Sequence, residues 1–250
     1  MNNPEEYVFL LGGRDLEMEE IRKILQSRGI TFHDLHLEWG AKLSDYRSFF
    51  DNDHIFAGIE LVKDMAPPEK YLEIDHHNEK SDLPSSIEQV AALLEITLNR
   101  WQLLVAANDK GYIPAMLAMG ASDNEVREIR EADRRAQGVT EEDEKLAEKT
   151  ITENLAIEGD IIIIDALTNK FSTITDRLYP FKKLLICRND QFVFYGTGAG
   201  IIADKFSGLI NDNQAFSGGG KNGFFGIVKD KLDGQSIEKL ILWIKLNIAI

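Results

Sequence analysis

Tyr71-Leu72-Glu73-Ile74-Asp75-His76-His77 leads, after a short polar loop, into Ser85-Ser86-Ile87-Glu88-Gln89-Val90. The first half is a short strand ending on a polar cluster. Ser85 with Glu88 three positions on is a capping box, which opens a helix through Val90, Leu93, Leu94 and Leu98. The same order appears upstream. Tyr7-Val8-Phe9-Leu10-Leu11 reads as a buried strand, then come Gly12-Gly13 and a helix through Ile21, Ile24 and Leu25. His54–Leu61 is a second good strand, and Thr31–Leu37 is a weaker candidate. Strands alternating with helices imply an α/β fold whose parallel sheet is covered on both faces.

The texture changes over residues 122–157. Ser122 with Glu125 and Thr140 with Asp143 are two more helix starts, separated by Gly138, amid dense charges of mixed sign. This segment is expected to be a helical connector with solvated faces. The division predicted is a metal-binding lobe over 1–121, the connector over 122–157, and a smaller α/β lobe over 158–250. The last lobe carries expected strands at Asp160–Ile164, Lys183–Cys187, Gln191–Tyr195 and Phe224–Val228, a helix near Ile201–Leu209, and a closing helix from Ser236.

Of 250 residues, 42 are Asp or Glu and 28 Lys or Arg, a formal net charge of −14. Long duplex nucleic acid and anionic membranes need clustered cations, so both are excluded as partners, while a short phosphate-bearing substrate is not. The charge is uneven: residues 1–156 hold 32 acids against 17 bases, and residues 157–250 hold 10 against 11. The one cysteine, Cys187, excludes an internal disulfide and reads as a core residue. With an acidic start and no long apolar run, the expected location is cytoplasmic.

Chemistry concentrates around Asp75-His76-His77, because side chains at strand ends in open α/β sheets point into the crevice where ligands collect. A carboxylate beside two imidazoles suits Mn²⁺, Fe²⁺ or Zn²⁺, although solvated histidines in a loop before a helix fit the tripeptide alone. Further acids strengthen the metal reading. Asp15 and Glu17 follow the first strand, Glu60 lies near the end of His54–Leu61, and Asp109 follows the apolar stretch Leu103–Ala107. In a parallel sheet all would emerge at one edge, where they repel unless cations sit between them. In the second lobe, Ser217-Gly218-Gly219-Gly220-Lys221-Asn222-Gly223 offers bare backbone and one ammonium to an anion, or else is a plain hairpin turn. Gly196-Thr197-Gly198-Ala199-Gly200 lacks the last glycine of a dinucleotide fingerprint and reads as a tight turn. His33, His36 and His54 read as structural, and no activated nucleophile is visible.

Taken together, Ile74-Asp75-His76-His77-Asn78, Ala107-Asn108-Asp109-Lys110-Gly111 and the glycine-rich run 216–226 resemble the motifs of the DHH phosphoesterases with their DHH-associated C-terminal domain, a group that includes nanoRNases, oligoribonucleases and exopolyphosphatases. The resemblance covers nearly the whole chain and marks a divergent member. It implies metal ligands at Asp15, Glu17, Glu60, His76 and Asp109. Asp75 and His77 would orient ligands or touch phosphate, and Gly218, Gly219, Gly220 and Lys221 would bind substrate. The chain departs from the family pattern at Leu11, where a histidine is usual, at Glu17 and Glu60, where aspartates are usual, and at Lys221 in place of a histidine.

The implied activity is a phosphoesterase using one or two Mn²⁺, Mg²⁺, Fe²⁺ or Zn²⁺ ions per chain. It would hydrolyse a short oligonucleotide or a cyclic or linear dinucleotide in a cleft between lobes, with Asp75, His76, His77 and Asp109 as the catalytic set. A cation-activated water would attack phosphorus. Two alternatives stand beside it: a non-hydrolytic nucleotide-sensing module, and a hydrolase of polyphosphate or pyrophosphate. A homodimer is compatible with any of these.

Overall fold

The run Tyr7–Leu11 is apolar at every position, and all five side chains are buried, as a strand covered on both faces requires. The computed structural model describes residues 6–188, 191–212, 214–219, 222–228 and 234–248. The chain divides into two compact units, 1–138 and 139–250.

In the first unit, strands β1 (Tyr7–Leu10), β2 (Phe32–His33), β3 (Ile55–Ile59) and β4 (Tyr71–Ile74) form a parallel sheet in the order β2-β1-β3-β4. Odd positions of β1 (Tyr7, Phe9, and Leu11 just beyond) pack with Ile59 and Ile74 against helices α1 (Leu16–Ser27) and α2 (Ser86–Leu93). Val8, Leu10 and Phe56 face the other way, onto a cluster holding Leu43 and Tyr46 from the 3-10 segment Leu43–Phe49. The two-residue period of the strands thus feeds two cores.

Three expectations are corrected here. The strand expected over Thr31–Leu37 is only the two residues of β2. Asp34 ends it by accepting the N–H of His36, which lies at φ 54°, and by pairing with Arg22. The helix expected through Leu98 stops at Leu93, where the backbone turns through Glu95 at φ 53°. A new helix, α3 (Arg100–Ala118), starts at the Asn99–Gln102 capping box. Leu103–Ala107 is therefore helical, and Asp109 reaches the site from a helix rather than from the sheet edge. That helix breaks just beyond, at Gly111 (φ −159°) and Tyr112 (φ 57°), ahead of Pro114, whose ring disfavours helical backbone before it.

Both helix starts in 122–157 are present, each with a complete capping box: α4 (Asp123–Ala136) and α5 (Glu141–Glu153). They fall in different units, and Gly138, at φ 76°, follows α4. The face of α4 is not wholly solvated as expected, because Ile129, Arg130, Asp133, Arg134 and Ala136 are buried at helical spacing.

The second unit holds a mixed sheet in the order β5-β6-β7-β8-β10-β9. Its strands are β5 (Leu155–Glu158), β6 (Ile161–Asp165), β7 (Lys183–Cys187), β8 (Gln191–Gly196), β9 (Ala215–Gly218) and β10 (Phe224–Val228), and only β6 and β7 pair in parallel. One core lies with α7 (Ala199–Lys205) and α9 (Gly234–Ile248), another with α5 and α6 (Ser172–Leu178). A short α8 (Ser207–Asn211) precedes β9. The strands expected at 160–164, 183–187, 191–195 and 224–228 are all present. The edge strands β5 and β9 go beyond the expected set, since one is exposed throughout and the other is the four-residue run Ala215-Phe216-Ser217-Gly218, which has one large apolar side chain. Gly196 (φ 95°) and Gly198 (φ 103°) make the tight turn expected between β8 and α7.

Tyr46 is fully buried, its hydroxyl donating to the Leu11 carbonyl and accepting from the Leu35 N–H. It anchors the chain where β1 runs into α1. Tyr46→Phe strands both backbone groups and is expected to cost about 1–3 kcal/mol. The urea midpoint should fall with the slope of the transition unchanged.

Candidate metal centre

Each candidate ligand is delivered by a backbone feature that the local sequence specifies. Asp15 N-caps α1, its carboxylate accepting the Met18 N–H at 2.8 Å, which places Glu17 in the first turn. Glu60 follows β3 at φ 53°, a left-handed conformation that is uncommon outside glycine. Its N–H is held by the Ile74 carbonyl at 2.9 Å, and Ser86 donates its hydroxyl to the carboxylate at 2.8 Å. Gly12 lies against this bend, and a Cβ there would sit 2.3 Å from the Ile59 oxygen and 2.9 Å from the Glu60 oxygen. His76 and His77 follow β4, and Asp109 sits just before the break in α3.

These elements converge on His76. Its Nε2 lies 2.5 Å from Asp109 Oδ2, 3.6 Å from Glu60 Oε1 and 3.7 Å from Glu17 Oε2. Glu60, His76, His77 and Asp109 each present one ligand atom, all within 4.8 Å of one another. Glu17 Oε2, His76 Nε2 and Asp109 Oδ2 are buried with no hydrogen-bond partner, the Glu17 and Glu60 approaches being too long and the Asp109 approach misdirected. Buried polar atoms are nearly always paired. Three orphaned ligand atoms facing one another could hold a divalent cation, and the chemistry of the residues fits one.

The electrostatics agree. Burial raises the Asp15 carboxyl well above its ordinary value, and the Glu60 and Asp109 charges add to the rise. Glu17 is pushed up to about 8 by burial and then by Asp109. Asp109 is raised chiefly by burial, against the opposing pull of His76. Burial alone would lower His76, but the carboxylates of Asp109, Glu17 and Glu60 win and push it up to about 12. Burial likewise presses Glu60 upward, yet His76, His77 and the Ser86 hydroxyl hold it below the usual range. A protonated His76 thus supplies the positive charge that a cation would otherwise bring, and it must give up that proton to become a ligand.

Asp75 stands outside the cluster. It accepts from the His77 backbone N–H and from His77 Nδ1, both at 3.0 Å, and from Lys80 at 3.1 Å. Burial raises Asp75, but these donors outweigh it and keep the carboxylate ionised. With Nδ1 turned to a carboxylate, Nε2 of His77 is the nitrogen left to bind.

No protein-family model matches the chain, and no curated relative matches it. Solved structures do. One, described as the pGpG-specific phosphodiesterase PggH from Vibrio cholerae, is 15% identical at a TM-score of 0.50, covering 98% of this chain and 100% of that one. Another, described as the DHH domain of a member of a family of ribosomal proteins, is 10% identical at a TM-score of 0.53, covering 96% and 87%. The fold is that of these two structures, the second of which is described as a DHH domain. At such identities the likeness fixes the fold and leaves chemistry to the residues.

Within this fold, Glu17, Glu60, His76 and Asp109 come together. Asp15 lies close enough for its charge to be felt, and His77 adds a ring nitrogen to the cluster. Leu11, where a histidine is usual, is fully buried in the apolar core between sheet and helices. Gly218 ends β9, and Gly219 (φ 70°) begins the turn into β10. A Cβ on Gly223 would lie 1.8 Å from the Gly218 oxygen, so the glycines are needed by the hairpin itself. Gly220 and Lys221 lie outside the described residues. Sequence reasoning missed Ser86 as the partner of Glu60, although the doubled serine at the helix start was its signal.

A raised carboxyl is stabilising in its protonated form only. For Glu17 that contribution is whole below about 4.5 and disappears as pH climbs through about 8. Metal-free protein is therefore expected to lose thermal stability between pH 5 and pH 8. Saturating Mn²⁺ should restore it, by about 2.7 kcal/mol at a hundredfold excess over Kd. Thermal scans of chelator-treated protein at both pH values, with and without Mn²⁺, check this, and a metal-free midpoint that does not fall between pH 5 and pH 8 would contradict it.

Proposed function

We propose that this chain is a divalent-metal-dependent phosphodiesterase acting on short nucleotide substrates, a small oligonucleotide or a cyclic or linear dinucleotide. The observation that carries the reading is the set of orphaned ligand atoms of Glu17, His76 and Asp109, with Glu60 beside them. The DHH fold, shared with a structure described as a pGpG-specific phosphodiesterase, supports the substrate class. Asp15, Glu17, Glu60, His76 and Asp109 would hold the cation, with His77 at its outer side. A bound divalent cation supplies charge neutralisation for a phosphoryl group and acidifies an attacking water.

The protein's own part is positional. His77 has the most exposed side chain of the clustered four, 43% against 5% for His76, and is the group placed to meet substrate. Asp75 fixes its tautomer, and Lys80, bridging Asp75 and Glu73 at 3.1 and 2.6 Å, fixes Asp75. Buried Glu17 and half-buried Glu60 are anchored by the Ile87 N–H and the Ser86 hydroxyl, so the cluster is held before any substrate arrives. In the second unit, Gly218, Gly219, Gly220 and Lys221 are proposed as an anion contact of their own. Mn²⁺ is the proposed cation, on the balance of oxygen and imidazole donors. Among the described residues no helix is long and apolar enough to cross a membrane.

Turnover with Mn²⁺ should be measured on a linear dinucleotide, a cyclic dinucleotide, a short oligoribonucleotide, pyrophosphate and polyphosphate. Wild type is expected to cleave a nucleotide phosphodiester, with His76→Ala and Asp109→Ala reduced by more than about 100-fold. Cleavage of the phosphoanhydrides alone would reassign the substrate. A second reading, a nucleotide sensor without turnover, is favoured by the loss of an imidazole at Leu11. Nucleotide binding with no hydrolysis in any divalent cation would establish it.

A further inference from the structure

Five residues that do not belong to the ligand set form a polar network beside it, and Asn108, Arg130 and Asp133 at its centre are buried. Asp133 and Arg130 lie one turn apart on α4, exposed by only 5% and 7%, with Arg130 Nη1 donating to Asp133 Oδ2 at 2.6 Å. The other Asp133 oxygen accepts the backbone N–H of Leu16 at 3.3 Å. The same Arg130 nitrogen donates to Asn108 Oδ1 at 2.9 Å, and its guanidinium stacks 4.6 Å from the Tyr112 ring centroid. Gln137 joins the set, donating to Asp133 Oδ2 at 3.1 Å.

What singles out this network is where its ends lie. Leu16 sits between Asp15 and Glu17, and Asn108 immediately precedes Asp109. Tyr112, the residue of left-handed backbone in the α3 break, lies under the guanidinium. The network therefore grips both ligand-bearing segments one residue from the ligand in each case, and its two central members come from a third helix. A buried ion pair is poor at stabilising a fold, because desolvation consumes most of its attraction, but it fixes geometry well. The Leu16 N–H is one of the orphan donors of the first turn of α1, so Asp133 holds that turn in place as a second cap would.

We infer that Arg130 and Asp133 are positioning residues for the metal centre, bracing the Asp15–Glu17 turn against Asp109 at a fixed separation. The inference rests on the metal-binding reading above. Removing the brace lets the two segments relax apart under the repulsion of their own carboxylates, so the loss appears in cation affinity before it appears in folding.

The test replaces the pair by apolar groups of similar size, Arg130→Met with Asp133→Leu, which removes the buried charges together. Mn²⁺ is titrated into metal-free full-length protein and the free ion read by its EPR spectrum, with circular dichroism monitoring the fold. The double variant is expected to fold, with a thermal midpoint close to that of wild type, and to bind Mn²⁺ about 10- to 100-fold more weakly. Arg130→Lys keeps a buried cation that donates to Asp133 and leaves the hold on Leu16 intact, and should recover most of the affinity, a rescue that bulk packing would not produce. A folded double variant with wild-type affinity overturns the brace. If the double variant fails to fold, Asn108→Leu, which cuts only the α3 end, decides in its place: unchanged affinity overturns the brace and weakened affinity supports it. Wild-type protein that binds no Mn²⁺ overturns the metal reading itself, and the brace with it.

Discussion

Carboxylates stripped of water repel one another far more strongly than they would at a surface, because low polarity neither screens nor solvates them. Asp15, Glu17, Glu60 and Asp109 are brought into that situation around one imidazole, and much of the first unit can be understood as holding them there. In the metal-free state burial and this repulsion raise the proton affinity of Asp15, Glu17 and Asp109, and the carboxylates raise that of His76. A divalent cation would replace several protons with one centre of charge. Each ligand atom without a hydrogen-bond partner marks a place where the fold has left that work undone.

The sheet supplies most of the convergence. In a parallel arrangement the ends of β1, β3 and β4 lie on one side, so the loops carrying Asp15, Glu60 and His76 meet without long detours. Asp109 comes instead from a helix, which must stop where its carboxylate is needed. The break at Gly111 and Tyr112, enforced by Pro114, provides that stop. Of the four described non-glycine residues in left-handed backbone, His36, Glu60, Glu95 and Tyr112, Glu60 belongs to the cluster and Tyr112 follows Asp109 by three positions.

Much of this was legible in the residues. Strong apolar runs announced β1, β3 and β4, and four complete capping boxes mark the starts of α2, α3, α4 and α5, though the apolar stretch after Asn99 masks the one there. The acids of the cluster were legible as types that have no business being buried together. Other features were not legible, for reasons of range. Whether Leu103–Ala107 is strand or helix depends on what it packs against, since a short apolar run carries no period of its own. The pairing of Asp133 with Leu16 spans more than a hundred residues of chain, and nothing local in the mixed charges of α4 separates a buried arginine from a solvated one.

Gly12 and Glu60 have a joint consequence for how this centre can change. Glu60 bends through a left-handed turn, and Gly12 lies so close beneath it that a single methyl group would strike main chain rather than a movable side chain. The separation of the two strand ends is therefore written in backbone, and side-chain substitutions at the ligands leave it untouched. Position 60 is open to residues that tolerate such a bend, asparagine and aspartate foremost, whereas position 12 admits no side chain at all. Variation in the chemistry of this centre would come through exchange of donor atoms on a fixed frame, and the most constrained residue in it is one that offers no donor.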